Sequence, residues 1–239
     1  MPKIGMLTPS SNTVLEPVTY KILADMPGVS AHFSRFTVRE ITLTEKSDSQ
    51  FQDESMLNAA SLLADAGVDL IVWNGTSASW LGLEKDRKLC ESIEEALGIP
   101  ATTSVFAITE AFQALGVSSI GLVTPYTQDV NAKIRQNYLA MGYKCPVDHG
   151  CGISVNKDFA DVPAQAIAEM LEMTASETAV EVVTVVCTNF NAASFVKDIE
   201  FKYNIPVIDS VSATLWHSLH KLGINPGPLA EKWGRLFLC

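Results

Sequence analysis

One cysteine stands where a reactive thiol would be useful. Cys187 ends the β-branched run that starts at Glu181, and Thr188 and Asn189 follow it. A segment apolar on both faces that stops at small polar residues reads as a buried parallel strand. Its carboxyl end is the edge at which open α/β sheets bind ligands. A thiol with a pKa near ~8.5 can hand over a proton close to neutrality; sealed in apolar packing, it is inert. The chain builds this device twice. Asp69–Trp73 is a second such run, followed by Asn74-Gly75-Thr76-Ser77, and laying Val72 on Thr184 brings Gly75 onto Cys187 and Thr76 onto Thr188. Gly75 offers no nucleophile and no base, so chemistry between paired thiols is unavailable. Its lack of a side chain leaves room for a bulky group or for close backbone approach.

Thr76, Ser77 and Tyr126, with the backbone N–H groups of Thr76 and Thr188, are candidate donors to an anion. Donors fixed around oxygens on which charge collects stabilise a transition state more than the ground state, by ~3 kcal/mol each in oxyanion holes generally. Thr76 and Ser77 can equally cap a helix. Asn12, in the loop Pro9-Ser10-Ser11-Asn12 after the first strand, is a candidate for ligand binding or a helix cap. Pro9 is counted with the site. Asn189 and Asn191 either touch ligand or cap the next helix. Cys145, Asp148, His149 and Cys151 match no structural zinc spacing, so no metal is expected. His217 and His220 read as packing or surface residues. Neither G-x-G-x-x-G nor G-x-x-x-x-G-K-[ST] occurs, which leaves no nucleotide site, and no cofactor is expected.

The elements that must hold these residues alternate. Lys3–Thr8, Val29–Thr37 and Val68–Trp73 read as strands. Helices are expected from near Val14, over Glu54–Ala66, over Leu81–Leu97 and, capped by Thr103-Ser104, over Val105–Leu115. The pattern then restarts. Ile120-Gly-Leu-Val-Thr124-Pro125 repeats Ile4-Gly-Met-Leu-Thr8-Pro9 at a distance of 116 positions, and Asn204-Ile205-Pro206 with Ser210 repeats Gly98-Ile99-Pro100 with Ser104 at a distance of 106. With the 112 that separates Gly75 from Cys187, three ordered matches indicate an internal duplication. The expected fold is α/β: two parallel-sheet, flavodoxin-like lobes related by a pseudo-twofold axis, with the site in the cleft between them. Residues 1–103 with 213–239 form the first lobe and 104–212 the second. The tail Trp233–Phe237 is expected to dock back on the first lobe.

Composition narrows the class. The 239 residues are 47% hydrophobic and 18% charged, which is globular. A formal charge of −10 without clustered Lys or Arg argues against nucleic acid. No run approaches the ~20 apolar residues of a membrane span, and the amino terminus is too briefly apolar for a signal peptide. Five cysteines without regular spacing suit free thiols in the cytoplasm. The chain is expected to act as a monomer or a homo-oligomer.

The signature Asn74-Gly75-Thr76-Ser77, then Thr124-Pro125-Tyr126 with Asp129-Val130-Asn131, then Val186-Cys187-Thr188 and Gly234-Arg235-Leu236-Phe237, resembles the aspartate/glutamate racemase superfamily. Within it, the chain is most similar to the branch of arylmalonate decarboxylase and maleate cis-trans isomerase. The resemblance implies a cofactor-independent enzyme that acts on a small carboxylic acid through an enediolate. Racemases and isomerases of this fold carry a cysteine at both strand ends. Gly75 with Cys187 is instead the decarboxylase arrangement, in which the second-lobe cysteine protonates one face. A cysteine placed at position 75 is then expected to add racemase activity. Pro9-Ser10-Ser11-Asn12 is closer to maleate isomerase, where the asparagine contacts a substrate carboxylate, and Asn156-Lys157-Asp158 departs from the decarboxylase's apolar wall. The alternatives are therefore an isomerase of dicarboxylates and a non-catalytic carboxylate-binding relative.

Overall fold

The computed structural model describes residues 1–48, 50–51 and 53–239. Eight strands form two parallel sheets: β1 (Lys3–Pro9), β2 (Ser30–Phe36), β3 (Leu70–Trp73) and β4 (Ala101–Thr103), then β5 (Ser119–Thr124), β6 (Lys144–Gly150), β7 (Val182–Val185) and β8 (Val207–Asp209). The strand orders are β2-β1-β3-β4 and β6-β5-β7-β8, the same path twice. The helices are α1 (Leu15–Leu23), α2 (Glu45–Asp48), α3 (Asp53–Asp65), α4 (Ala78–Leu81), α5 (Leu83–Leu97) and α6 (Ser104–Leu115) in the first half. The second half adds α7 (Gln128–Ala140), α8 (Ala164–Ala175), α9 (Val196–Tyr203), α10 (Ser210–Lys221) and α11 (Ala230–Trp233).

The strand register reproduces the duplication residue for residue. Met6 lies opposite Val72 and Val72 opposite Thr102 in the first sheet. Leu122 lies opposite Thr184 and Thr184 opposite Ile208 in the second. These equivalent pairs carry the distances of 116, 112 and 106 read from the sequence. β3 and β7 are buried at all four positions, as strands covered on both faces require.

The helices that directly follow β4 and β8 pack on each other. α10 packs on α6, α1 and β3, while Phe112 of α6 lies edge-on to Tyr138 of α7 at 5.7 Å and beside Tyr143 at 4.8 Å. His217 of α10 fastens this crossing: Nδ1 is 2.9 Å from Glu110 of α6 and Nε2 is 2.7 Å from the Thr102 hydroxyl.

Three expectations change. The segment of Cys145, Asp148, His149 and Cys151 is mostly an edge strand, β6, and not a loop. An edge tolerates Pro146 and alternating polar residues, which hid it from a hydrophobicity reading. The helix expected over Leu81–Leu97 begins earlier and is broken: α4 starts directly after Ser77, and Gly82, at φ 99°, separates it from α5. The tail touches both lobes. Trp233 Nε1 donates to Asp25, whereas Arg235 donates to Asn204 and to the Glu200 carboxylate and carbonyl.

Candidate active site

The carboxyl ends of β3 and β7 meet at a small cavity. Its lining is partly apolar, from Pro9, Val38, Ile41, Phe51, Trp73 and Trp80, and otherwise consists of Gly75, Thr76, Ser77, Tyr126, Asn156, Cys187, Thr188 and Asn189. The lining includes no Lys, Arg, His, Asp or Glu among the described residues. An anion bound here is met by neutral donors alone.

Cys187 is 3% exposed and is the one thiol in this lining. Its sulfur accepts the Asn189 N–H at 3.3 Å, and its own N–H is fixed by the Ser210 hydroxyl, which donates in turn to the Val185 carbonyl. Burial pushes the thiol pKa up to about 12, while hydrogen bonds from Tyr126 and from the Asn189 amide pull the other way. The group is therefore S–H throughout the neutral range. Tyr126 is also raised, first by burial and then by the neighbouring Cys187, and its hydroxyl shares a 2.9 Å hydrogen bond with Thr76 Oγ1. The Ser77 hydroxyl, the Trp80 indole N–H and the backbone N–H groups of Gly75, Thr76, Ser77 and Thr188 have no acceptor among the described residues. These are the donors available to a ligand.

The other sequence candidates have structural partners. Asn12 does not line the cavity. Its Oδ1 accepts the Val14 and Leu15 N–H groups at the start of α1, and its Nδ2 donates to Thr188 Oγ1 at 3.1 Å. The capping reading thus describes its side chain, and the amide stands behind Thr188. The Thr188 hydroxyl also donates to the Asn74 carbonyl, which leaves the backbone N–H as that residue's free donor. Asn189 caps a helix of the opposite half: Oδ1 accepts the Thr13 and Val14 N–H groups, and Nδ2 donates to the Asn156 carbonyl. Pro9 and Gly75 line the cavity.

Gly75 does not leave open room. A Cβ at this position would lie 2.0 Å from the Trp73 ring. The four β6-region residues do not converge either, with Asp148 held by Arg135 and Asn131 and Cys151 beside Met170. Among the described residues, no three His, Cys, Asp or Glu side chains form a metal cluster, and no helix is long and apolar enough to cross a membrane.

Sequence reasoning missed part of the roof. Val38, Ile41 and Phe51 come from the segment after β2, whereas Asn156, which the resemblance set in the pocket wall, comes from the segment after β6. The two segments pair across the cleft, with Ile41 N–H donating to the Ser154 carbonyl at 2.7 Å and Asn156 N–H to the Arg39 carbonyl at 2.9 Å. Gln50 steadies the first segment by accepting the Arg39 N–H and donating to the Glu40 carbonyl. Nothing local in the sequence signalled its partner.

The chain is similar to two kinds of known protein. The chain is 26% identical to arylmalonate decarboxylase of Bordetella bronchiseptica, over 99% of this chain and 96% of that protein. It is 23% identical to maleate isomerase of Nocardia farcinica, over 93% and 90%. Nocardia farcinica maleate cis-trans isomerase bound to TRIS superposes with a TM-score of 0.89 at 20% identity, covering 99% of this chain and 98% of that one. A crystal structure of arylmalonate decarboxylase superposes at 0.77 and 22% identity, over 99% of each chain. The sequence profile described as arylmalonate decarboxylase matches residues 11–237. With the duplicated lobes and the strand-end cavity, that match makes the chain a member of the arylmalonate decarboxylase family, within the branch of the aspartate/glutamate racemase superfamily that also holds the maleate isomerases.

Proposed function

We propose that this chain is a cofactor-independent decarboxylase of a small α-substituted malonate, with Cys187 as its proton donor. The observation that carries the reading is the pairing of one protonated thiol with a cavity that contains no cation. One substrate carboxylate is held by Ser77, Tyr126 and the free amides of Gly75, Thr76 and Thr188. The other lies against Val38, Ile41, Phe51 and Trp73, which cannot solvate a charge. Cleavage of its C–C bond releases neutral CO₂ and sends the electron pair into the enediolate, whose charge the amide and hydroxyl donors take up. The Cys187 S–H then gives its proton to the α-carbon. The resulting thiolate is held by Tyr126 and the Asn189 N–H until water reprotonates it.

One observation favours an isomerase of maleate-like dicarboxylates: Asn156 brings an amide to a wall that the decarboxylase reading needs apolar. Against it stands the missing thiol at position 75. Incubation with phenylmalonate and, separately, with maleate tests the two. CO₂ release and a 2-aryl acid support the decarboxylase; fumarate formation overturns it. Carboxylate binding that survives Cys187→Ala, with no turnover by the unmodified chain on either acid, would mark a non-catalytic binding protein.

A further inference from the structure

The floor of the cavity under Gly75 is an indole. A Cβ built on Gly75 would meet three Trp73 ring carbons at 2.0, 2.4 and 2.5 Å, far inside any real contact. The ring is held by aromatic neighbours. Trp73 is 2% exposed, its ring centroid lies 5.0 Å from that of Phe36 and 6.1 Å from that of Phe51, and its backbone is clamped in register between Leu7 and Thr103. Gly75 lies two positions beyond Trp73, the last residue of β3.

We propose that Trp73 is a specificity-determining plug: its indole fills the place from which a first-lobe side chain would reach the substrate, so only Cys187 can exchange a proton with the α-carbon, from one face. This deepens the function proposed above and rests on it for its chemical consequence, though not for its steric one. The plug also defines the surface that the substrate's far face meets. That surface is aromatic, continued by Phe51 and Trp80 with ring centroids 6.4 Å apart and ring planes inclined at 71°, and it leaves a carboxylate pressed against it unsolvated.

The plug makes the lone glycine a consequence of its neighbour. In a site open on both faces, G75C would supply a second thiol: as thiolate it would take the α-proton of 2-phenylpropionate, and Cys187 S–H would return one to the opposite face of the enediolate. Here the added Sγ has no space until residue 73 is made smaller.

The test compares the unmodified chain, G75C, Trp73→Val and the double variant, by thermal melting and by deuterium incorporation into 2-phenylpropionate in D₂O. Trp73→Leu replaces Trp73→Val should the latter not fold. Overpacking predicts that G75C lowers the melting temperature by about 5 °C in the native background and by less than half of that beside the smaller residue. Exchange is expected from the double variant alone. Equal losses in both backgrounds, or G75C melting with the unmodified chain, would overturn the plug, as would exchange by G75C alone at the rate of the double variant. Coupled melting without exchange or CO₂ release from any of the four leaves the plug standing and removes the decarboxylase reading.

Discussion

The Tyr126 hydroxyl shares a 2.9 Å hydrogen bond with Thr76 Oγ1 and sits close enough to Cys187 to favour its thiolate. The second residue after β5 therefore stands beside both strand ends that the duplication makes equivalent. On the proposed mechanism, Tyr126→Phe removes a donor to the enediolate and to the thiolate that proton transfer leaves behind, while keeping the ring against Trp80 and Phe159. The expected result is a fall in kcat of about 10²-fold with a smaller change in KM, measured by CO₂ release. The melting temperature should stay within a few degrees, which separates lost chemistry from lost packing.

Cys187 should be slow to alkylate. With its pKa pushed up to about 12 by burial, its thiolate fraction at pH 8 is about 10⁻⁴, whereas Cys239 is exposed. Peptide mass spectrometry after brief iodoacetamide treatment at pH 8 should find Cys239 labelled and Cys187 intact. The labelling rate of Cys187 should still be rising above pH 9. Rapid labelling of Cys187 at pH 7 would contradict a thiol that stays protonated.

Asn189 should matter for the seating of α1 as much as for the cavity. Asn189→Ala strips the α1 start of an acceptor supplied by the opposite half and frees the Asn156 carbonyl. A loss of about 1–2 kcal/mol in denaturant unfolding is expected. Asn189→Asp keeps the acceptor but not the donation to Asn156, so it should recover part of the stability without recovering ligand affinity.

Asp86 should make stability fall as the solution becomes more alkaline. It is buried with one carboxylate oxygen unpartnered, and burial raises its pKa from 3.8 to about 7. Between those values the unfolded chain sheds the proton while the folded chain keeps it. Its stabilising share is thus complete below about pH 4 and gone once the pH has passed about 7. Asp86→Asn should flatten the unfolding midpoint across this window and raise it at pH 8. A midpoint equally pH-dependent in both proteins would refute the assignment.

The repeat was readable because strands buried on both faces must be apolar throughout and must end at polar loops. Val72 and Thr184 were matched on that basis, and the sheet register bears the match out. Side-chain partners across the cleft were not readable. Asn12 looked free for a ligand because Thr188, which takes up its Nδ2, lies 176 positions away. β6 was missed because an edge strand need not be apolar. The obstruction at Gly75 was within reach: Trp73, the largest side chain there is, stands only two positions before it. A glycine was read as empty space when its neighbour had already filled it.

α6 and α10 are equivalent helices of the two halves and pack on each other, with His217 bridging Thr102 and Glu110 where they meet. Two repeats carried in one chain are free to differ at matching places, and here an indole fills one strand end while sulfur stands at the other. Identical subunits would present the same residue on both sides.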